Sequence, residues 1–188
     1  MRLLFALLTI TALLTGCAAN SPKTLVLSPE IPPATAQTSS LISLALKSKD
    51  MRSISYVVRF MDDDKVERLV NPAESPRITL ERLFNQALAN AGYQIDPASS
   101  RDFEIVVDQV VTDVDESMLG FEANTHLMMT VNASNQNRTF TKRYSATSRL
   151  KGPFKADFAS LELDINKLIT QLSGQIVNDP ELNQFLQQ

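Results

Sequence analysis

The chain is 188 residues long, with 18 basic and 21 acidic side chains, one histidine, one cysteine and no tryptophan, and 44% of it is hydrophobic. Such a length suits one domain with a sizeable core and is short for two, while the mild negative charge argues against a nucleic-acid partner, which is usually met by a strongly basic face. A lone cysteine leaves no disulfide to be made within the chain, so packing alone has to hold the fold.

The first element is an apolar run. Arg2 precedes the stretch from Leu3 to Leu13, about a dozen residues, too short to cross a bilayer permanently and the right size for a cleaved secretory segment. The four residues that follow, Leu14, Thr15, Gly16 and Cys17, resemble the bacterial lipobox. That resemblance implies that a diacylglyceryl group alkylates the Cys17 thiol, that the chain is cut before Cys17, and that the new amino group is acylated. Residues 1–16 are therefore expected to be a cleaved signal peptide. The acyl chains on Cys17 would hold the protein firmly, each buried methylene contributing about 0.8 kcal/mol. Under the sorting rule of enteric-type bacteria, Asp after the cysteine retains a lipoprotein at the inner membrane. Ala18 stands there, so the expected location is the periplasmic face of the outer membrane.

Residues 17–40 read as the lipidated N-terminus and a tether. Pro22, Pro29, Pro32 and Pro33 among small polar residues favour a solvated, extended backbone. As a loose coil, this stretch would hold the domain roughly 25–30 Å from the lipid. Within it, Leu25-Val26-Leu27 is apolar enough to dock as an edge strand.

Residues 41–188 then make a single α+β domain. Ile42, Leu44 and Leu46, and again Ile54, Tyr56, Val58 and Phe60, alternate with small or polar residues at the period of half-buried strands, with a polar break over 47–52. Asp62-Asp63-Asp64 reads as a tight turn into a third strand over 66–70. Leu80, Leu83, Phe84, Ala87, Leu88 and Ala91 form the apolar stripe of a helix that Ser75 and Pro76 begin and Gly92 ends. A long strand around 103–110 is apolar on both faces at its centre, which indicates an interior position. Two further strands, over 125–133 and 140–147, are joined through Asn135-Gln136-Asn137 as a hairpin. A second helix is expected over 156–178, and Asp179-Pro180 opens a short final helix carrying Leu182, Phe185 and Leu186. The expected architecture is a mostly antiparallel or mixed sheet of about five strands, with two main helices on one face and a short C-terminal helix.

The lipobox, the proline-containing tether, Asp50-x-Arg52 after a strand, Ala91-Gly92-Tyr93 at a helix end and the closing Ile176, Asp179 and Leu182 together resemble the YajG-type lipoprotein family. The similarity covers essentially the whole chain. It implies a bacterial envelope lipoprotein with a compact α+β domain and brings no catalytic residues. The order of elements also looks like that of small periplasmic domains that dock onto larger envelope machines, an analogy of fold that says little about function.

Residue chemistry offers few other sites. A nucleophilic triad could be built only around His126, which falls on the polar side of a strand with no Gly-x-Ser-x-Gly elbow beside it. Asp113-Val114-Asp115-Glu116 lacks the glycine and terminal glutamate of a calcium loop and reads as a solvated strand end. Asp50 and Arg52 would either recognise a ligand or, as exposed pairs commonly do, close a strand end. Arg138, Lys142, Arg143, Arg149, Lys151 and Lys155 gather cations near the last hairpin arm, either as a scattered solvated face or as a basic rim for lipid head groups or cell-wall carboxylates. The expectation is a non-enzymatic lipoprotein with no catalytic residue, metal or cofactor, anchored by membrane lipid and binding an envelope protein or peptidoglycan. The alternative is a periplasmic carrier or sensor of a small apolar or muropeptide-like ligand.

Overall fold

The structure is a computed structural model that describes residues 24–35, 38, 41–62, 65–136 and 138–188. The expected signal peptide, Leu14, Thr15, Gly16 and Cys17, and the first part of the tether lie outside the described residues. Within them the chain forms, in order, β1 (Thr24–Leu25), β2 (Ile42–Asp50), β3 (Val58–Asp62), β4 (Lys65–Pro72), α1 (Pro76–Asn90), β5 (Tyr93–Ile95), β6 (Arg101–Glu116), β7 (Gly120–Asn135), β8 (Arg138–Pro153), α2 (Phe158–Val177) and α3 (Pro180–Leu186).

This is one α+β unit built on a single mixed sheet of eight strands rather than about five. Three 16-residue strands, β6, β7 and β8, form an antiparallel meander. The other edge of β6 carries two parallel strands end to end. β2 pairs with its first half, from Asp102 to Val107, and β3 with its second half, from Thr112 to Asp115. Outside these, β5 lies parallel to β2, β4 antiparallel to β3, and β1 parallel to β4. Of the two short edge strands, β1 falls at the start of the Leu25-Val26-Leu27 patch expected to dock as an edge strand, whereas β5, with three residues, is too short to show a period of its own. The expected polar break at 47–52 is also corrected, since β2 runs on to Asp50 and Lys47 and Lys49 pair with Glu104 and Val106.

One face of the sheet is apolar and bears the helices. β7 buries Phe121, Ala123, Leu127, Met129, Val131 and Ala133 at every second position, and β6 adds Phe103, Ile105, Val107, Val110 and Val114. Each stripe residue expected of α1 is buried, and Phe84 meets Phe103 with ring centroids 6.2 Å apart. Ser75 precedes α1 without a side-chain cap bond, and Gly92 takes up the positive φ of 91° needed just beyond the helix end. Asp157 caps α2, accepting from the Ser160 amide at 2.9 Å, and Asp179 caps α3, accepting from the amides of Glu181 and Leu182.

The largest departure concerns the tether. Leu25 and Leu27 are buried, and the chain from Thr24 to Thr35 lies along one flank of α2. Glu162, Asn166, Thr170, Gly174 and Asn178 stand at successive i, i+4 positions on one helix face. Glu162 accepts from the Val26 amide at 2.6 Å, Asn166 from Ser28 at 2.8 Å, Thr170 from Glu30 at 3.0 Å and Asn178 from Thr35 at 2.7 Å. Asn178 also donates to the Pro33 carbonyl at 3.0 Å. Where the ladder reaches Gly174, a Cβ would come within 3.3 Å of Pro32, which is buried there. Two residues of extended chain advance about 6.6 Å and four of helix about 6 Å, so the rungs from Glu162 to Gly174 meet alternate residues from Val26 to Pro32, and Asn178 closes the ladder on Pro33 and Thr35. Leu25→Ala should therefore cost about 3 kcal/mol in urea unfolding. A residue on a solvated tether would give no measurable change.

Candidate functional site

The face of the sheet away from the helices is polar and open to solvent, and alternation sorts its chemistry by strand. Outward positions of β6 include Asp102, Glu104 and Asp113, those of β7 Glu122, Asn124, Thr130, Asn132 and Ser134, and those of β8 Thr141, Arg143, Arg149 and Lys151. Cross-strand hydrogen bonds tie the rows together. Thr130 donates to Asp108 at 2.6 Å, Asn132 to Glu104 at 3.1 Å, Ser134 to Asp102 at 3.3 Å and Thr141 to Asn132 at 3.0 Å. At one end of this face is an open groove of about 410 Å³ whose lining includes Lys47, Asp102, Glu104, Asn132, Ser134 and Thr141. Lys47 and Asp102 form an ion pair across it at 2.5 Å. Such a surface can hydrogen-bond a polar chain through carboxylate, amide and hydroxyl groups, and the sequence signal for it is the run of hydroxyl and amide residues alternating with the buried apolar ones along β7.

The other singled-out residues have structural partners. Arg52, with its side chain 5% exposed, holds Asp50 through Nε at 3.0 Å and Nη2 at 2.9 Å, and its backbone amide donates to the same carboxylate at 3.1 Å. The pair closes the 51–57 loop between β2 and β3. Arg59 holds Asp113 in the same forked way at 2.7 and 2.9 Å. Glu116 accepts from the Ala156 amide at 3.0 Å, and His126 is exposed on the outer face opposite Val111 and Thr147. Among the described residues no group of three or more His, Cys, Asp or Glu could hold a metal ion. The space between α1 and the sheet, where the carrier reading puts a ligand, is occupied by Leu44, Leu80, Phe84, Leu88, Phe103 and Ile105, all at most 1% exposed.

The basic run does not form one surface. Arg143, Arg149 and Lys151 point outward, where Glu122 takes both Arg149 at 2.5 Å and Lys151 at 2.8 Å and is held down to a pKa of about 2 by Lys151 first and by Asn124 and Arg149. Lys142 points to the opposite face and binds Asp179 at 2.8 Å and Glu181 at 2.9 Å. Arg138, at the same parity, bonds to Gln188.

Sequence reasoning also missed a polar cluster at the C-terminal helix. Tyr144 donates to Asp179 at 2.7 Å and Tyr93 to Asn183 at 2.7 Å, while Asn183 donates to the carbonyls of Val177 at 2.8 Å and Asp179 at 2.9 Å. Burial pushes the Asp179 carboxyl up, but hydrogen bonds from Lys142, Tyr144 and the amides of Glu181 and Leu182 outweigh it, leaving the carboxyl below its ordinary range. Burial, with Asp179 beside it, drives the Tyr144 phenol well above its usual value.

A model of the uncharacterized-lipoprotein family matches residues 29–187. The chain belongs to that family, the YajG-type lipoproteins. No curated protein matches the chain at a significant level. Among solved structures, a protein from Xanthomonas campestris superimposes with a TM-score of 0.60 at 14% identity, covering 82% of this chain and 92% of its own. That likeness establishes a shared fold. A putative neuraminyllactose-binding hemagglutinin homolog from Helicobacter pylori aligns with a TM-score of 0.43 at 8% identity, over 86% of this chain and 98% of its own.

Membership in a lipoprotein family implies anchoring in the cell envelope, and among the described residues no helix is long and apolar enough to cross a membrane. For this YajG-type lipoprotein, the residues that carried the resemblance are ties of the fold. Asp50 and Arg52 close a loop, while Tyr93, Asp179 and Leu182 fasten α3 beneath the sheet. Because Asp179 titrates lower in the folded chain, its stabilisation is present above the unfolded value near pH 4 and is lost as pH falls through the folded value. Asp179→Asn should thus cost roughly 2 kcal/mol in urea at pH 7. The gap to the wild type should close progressively in melts taken below pH 4.

Proposed function

We propose that this YajG-type lipoprotein is anchored through acylated Cys17 at the periplasmic face of the outer membrane and acts without catalysis, binding another envelope protein or the cell wall. The observation that supports this reading is the open outer face of β6, β7 and β8, with its groove of about 410 Å³ between Lys47 on β2 and Thr141 on β8. The helices cover the opposite face, and the N-terminal segment lies along a flank of α2 on that side, so this is a broad polar surface left uncovered by the chain's own described elements. Its carboxylates, amides and hydroxyls match the hydrogen-bonding needs of an extended peptide or a glycan. The Xanthomonas relative adds the shared fold and no partner.

A photo-crosslinking residue at Asn132 or Thr141 in cells should capture one recurrent protein or a muropeptide, identified by mass spectrometry, whereas the same residue at Leu163 on α2 should not. Thr141→Arg should abolish the Asn132 adduct while leaving the unfolding midpoint in place. Equal labelling at all three positions would overturn the assignment of this face.

A further inference from the structure

We infer that the end of the sheet carrying Met118, Leu119 and Phe154 is a second membrane contact, inserting into the leaflet that holds the acyl chains of Cys17; this rests on the anchored reading above. Met118 is 99% exposed, Leu119 92% and Phe154 78%, so none of the three serves the core. Met118 and Leu119 form the tip of the β6–β7 hairpin. The turn is fixed by Ser117, whose amide and hydroxyl donate to the Gly120 carbonyl at 2.8 and 2.9 Å. Small or polar residues ordinarily fill such a tip, because it faces water. Gly120 pairs with Pro153, which brings Phe154 beside this hairpin tip. Phe154 has a φ of 66°, a left-handed conformation that a bulky side chain rarely adopts, and it points its ring to solvent. Three large apolar side chains thus project together from one edge of an otherwise polar sheet face.

The choice of a bilayer as occupant comes from the path of the N-terminal chain. β1 runs parallel to β4, with Thr24 opposite Asn71 and Leu25 opposite Pro72, so the chain enters Thr24 from the Lys65 end of β4. Lys65 pairs with Asp62, and neighbouring Met61 pairs with Asp115, one residue before the end of β6. The entry side and the apolar tip are therefore at the same end of the sheet. Docking of residues 24–35 leaves only residues 17–23 between Cys17 and the fold, a stretch that spans at most roughly 25 Å. From Asn71 back to Lys65 the strand covers roughly 20 Å. An acylated Cys17 thus keeps the domain against its own leaflet, and the direction of entry turns the tip toward it. Lys155, at 3.5 Å from Glu116, sits beside Phe154 at the level where a lysine can reach head groups while the ring enters the acyl boundary, roughly 5–10 Å deep.

The test uses the acylated full-length protein in phosphatidylethanolamine–phosphatidylglycerol vesicles. Once Cys17 carries lipid, Met118→Cys, Leu119→Cys, Phe154→Cys or Leu41→Cys supplies the one free thiol for an environment-sensitive fluorophore. Leu41, 92% exposed and preceding the strand that begins beside the opposite end of β6, is the reference. The labels at 118, 119 and 154 should be quenched by lipids spin-labelled near the head group and shielded from aqueous iodide, and the label at 41 should show the reverse. Met118→Asp combined with Leu119→Asp should abolish quenching at Phe154→Cys without moving the unfolding midpoint. Iodide access equal at all four sites on a chain whose mass shows its acyl groups would overturn the tip contact and leave the anchor standing. A mass without acyl groups would overturn both. Shielding from iodide without lipid quenching would assign the tip to a protein partner instead.

Discussion

The fold depends on satisfying β6. This strand is 16 residues long and interior, so both of its edges must find backbone partners along their length. β7 supplies one edge in full. On the other, β2 ends with Asp50 opposite Val107, and β3 begins with Val58 opposite Thr112. Between the two, the Met51 amide donates to the Val107 carbonyl and the Thr112 amide to the Val57 carbonyl, each at 2.9 Å. The register of β6 against β7 shifts at Asp108, in this same interval, so the sheet bends where its other edge changes strands. The Asp50–Arg52 clasp holds the loop that makes the changeover, which gives a purely mechanical reason for that pair.

The second constraint is the ladder on α2. A helix can grip an extended chain only when its polar side chains recur every fourth residue and the chain offers backbone groups every second one. Glu162, Asn166, Thr170 and Asn178 meet that condition, and Gly174 gives way where Pro32 has no amide to offer. Pro29, Pro32 and Pro33, which suggest a solvated tether, thus help to keep the segment extended for docking. The ladder also leaves only residues 17–23 between the docked segment and Cys17, and it fixes the direction from which the chain enters β1.

Much of the interior was legible from the sequence, because periodicity reports burial directly. The stripe of α1, the alternation of β7, the hairpin near Gln136 and the Asp179 cap of α3 follow from residue spacing alone. What escaped detection was held by partners distant in sequence. β5 has three residues and exists because β2 lies beside it. Beyond the Leu25-Val26-Leu27 patch, the docked segment reads as a tether until Thr170 and Asn178 are placed beside it, and Lys47 to Asp50 read as a break until Asp102 and Glu104 offer pairing across the sheet. The run Asn124, Thr130, Asn132 and Ser134 could have pointed to the outer groove, since small hydrogen-bonding residues alternate there with the apolar set. Whether the cations of β8 form a scattered face or one rim stays open in the sequence, because proximity along the chain hides the alternation that sends Lys142 inward and Arg143 outward.

That alternation bears on how the outer face would recognise anything. Glu122 engages Arg149 and Lys151, Asp102 engages Lys47, and Asp113 engages Arg59, so the charges near this face are largely neutralised by neighbours. Surface pairs of this kind add little stability, but they cancel the long-range field that would draw a polyanion. A partner on this face meets fixed donors and acceptors spaced by the strand repeat, and selects itself by matching that spacing. At the end of the sheet Lys155 is likewise paired, with Glu116 at 3.5 Å, so what distinguishes that end is its exposed apolar side chains, Met118, Leu119 and Phe154, rather than free charge.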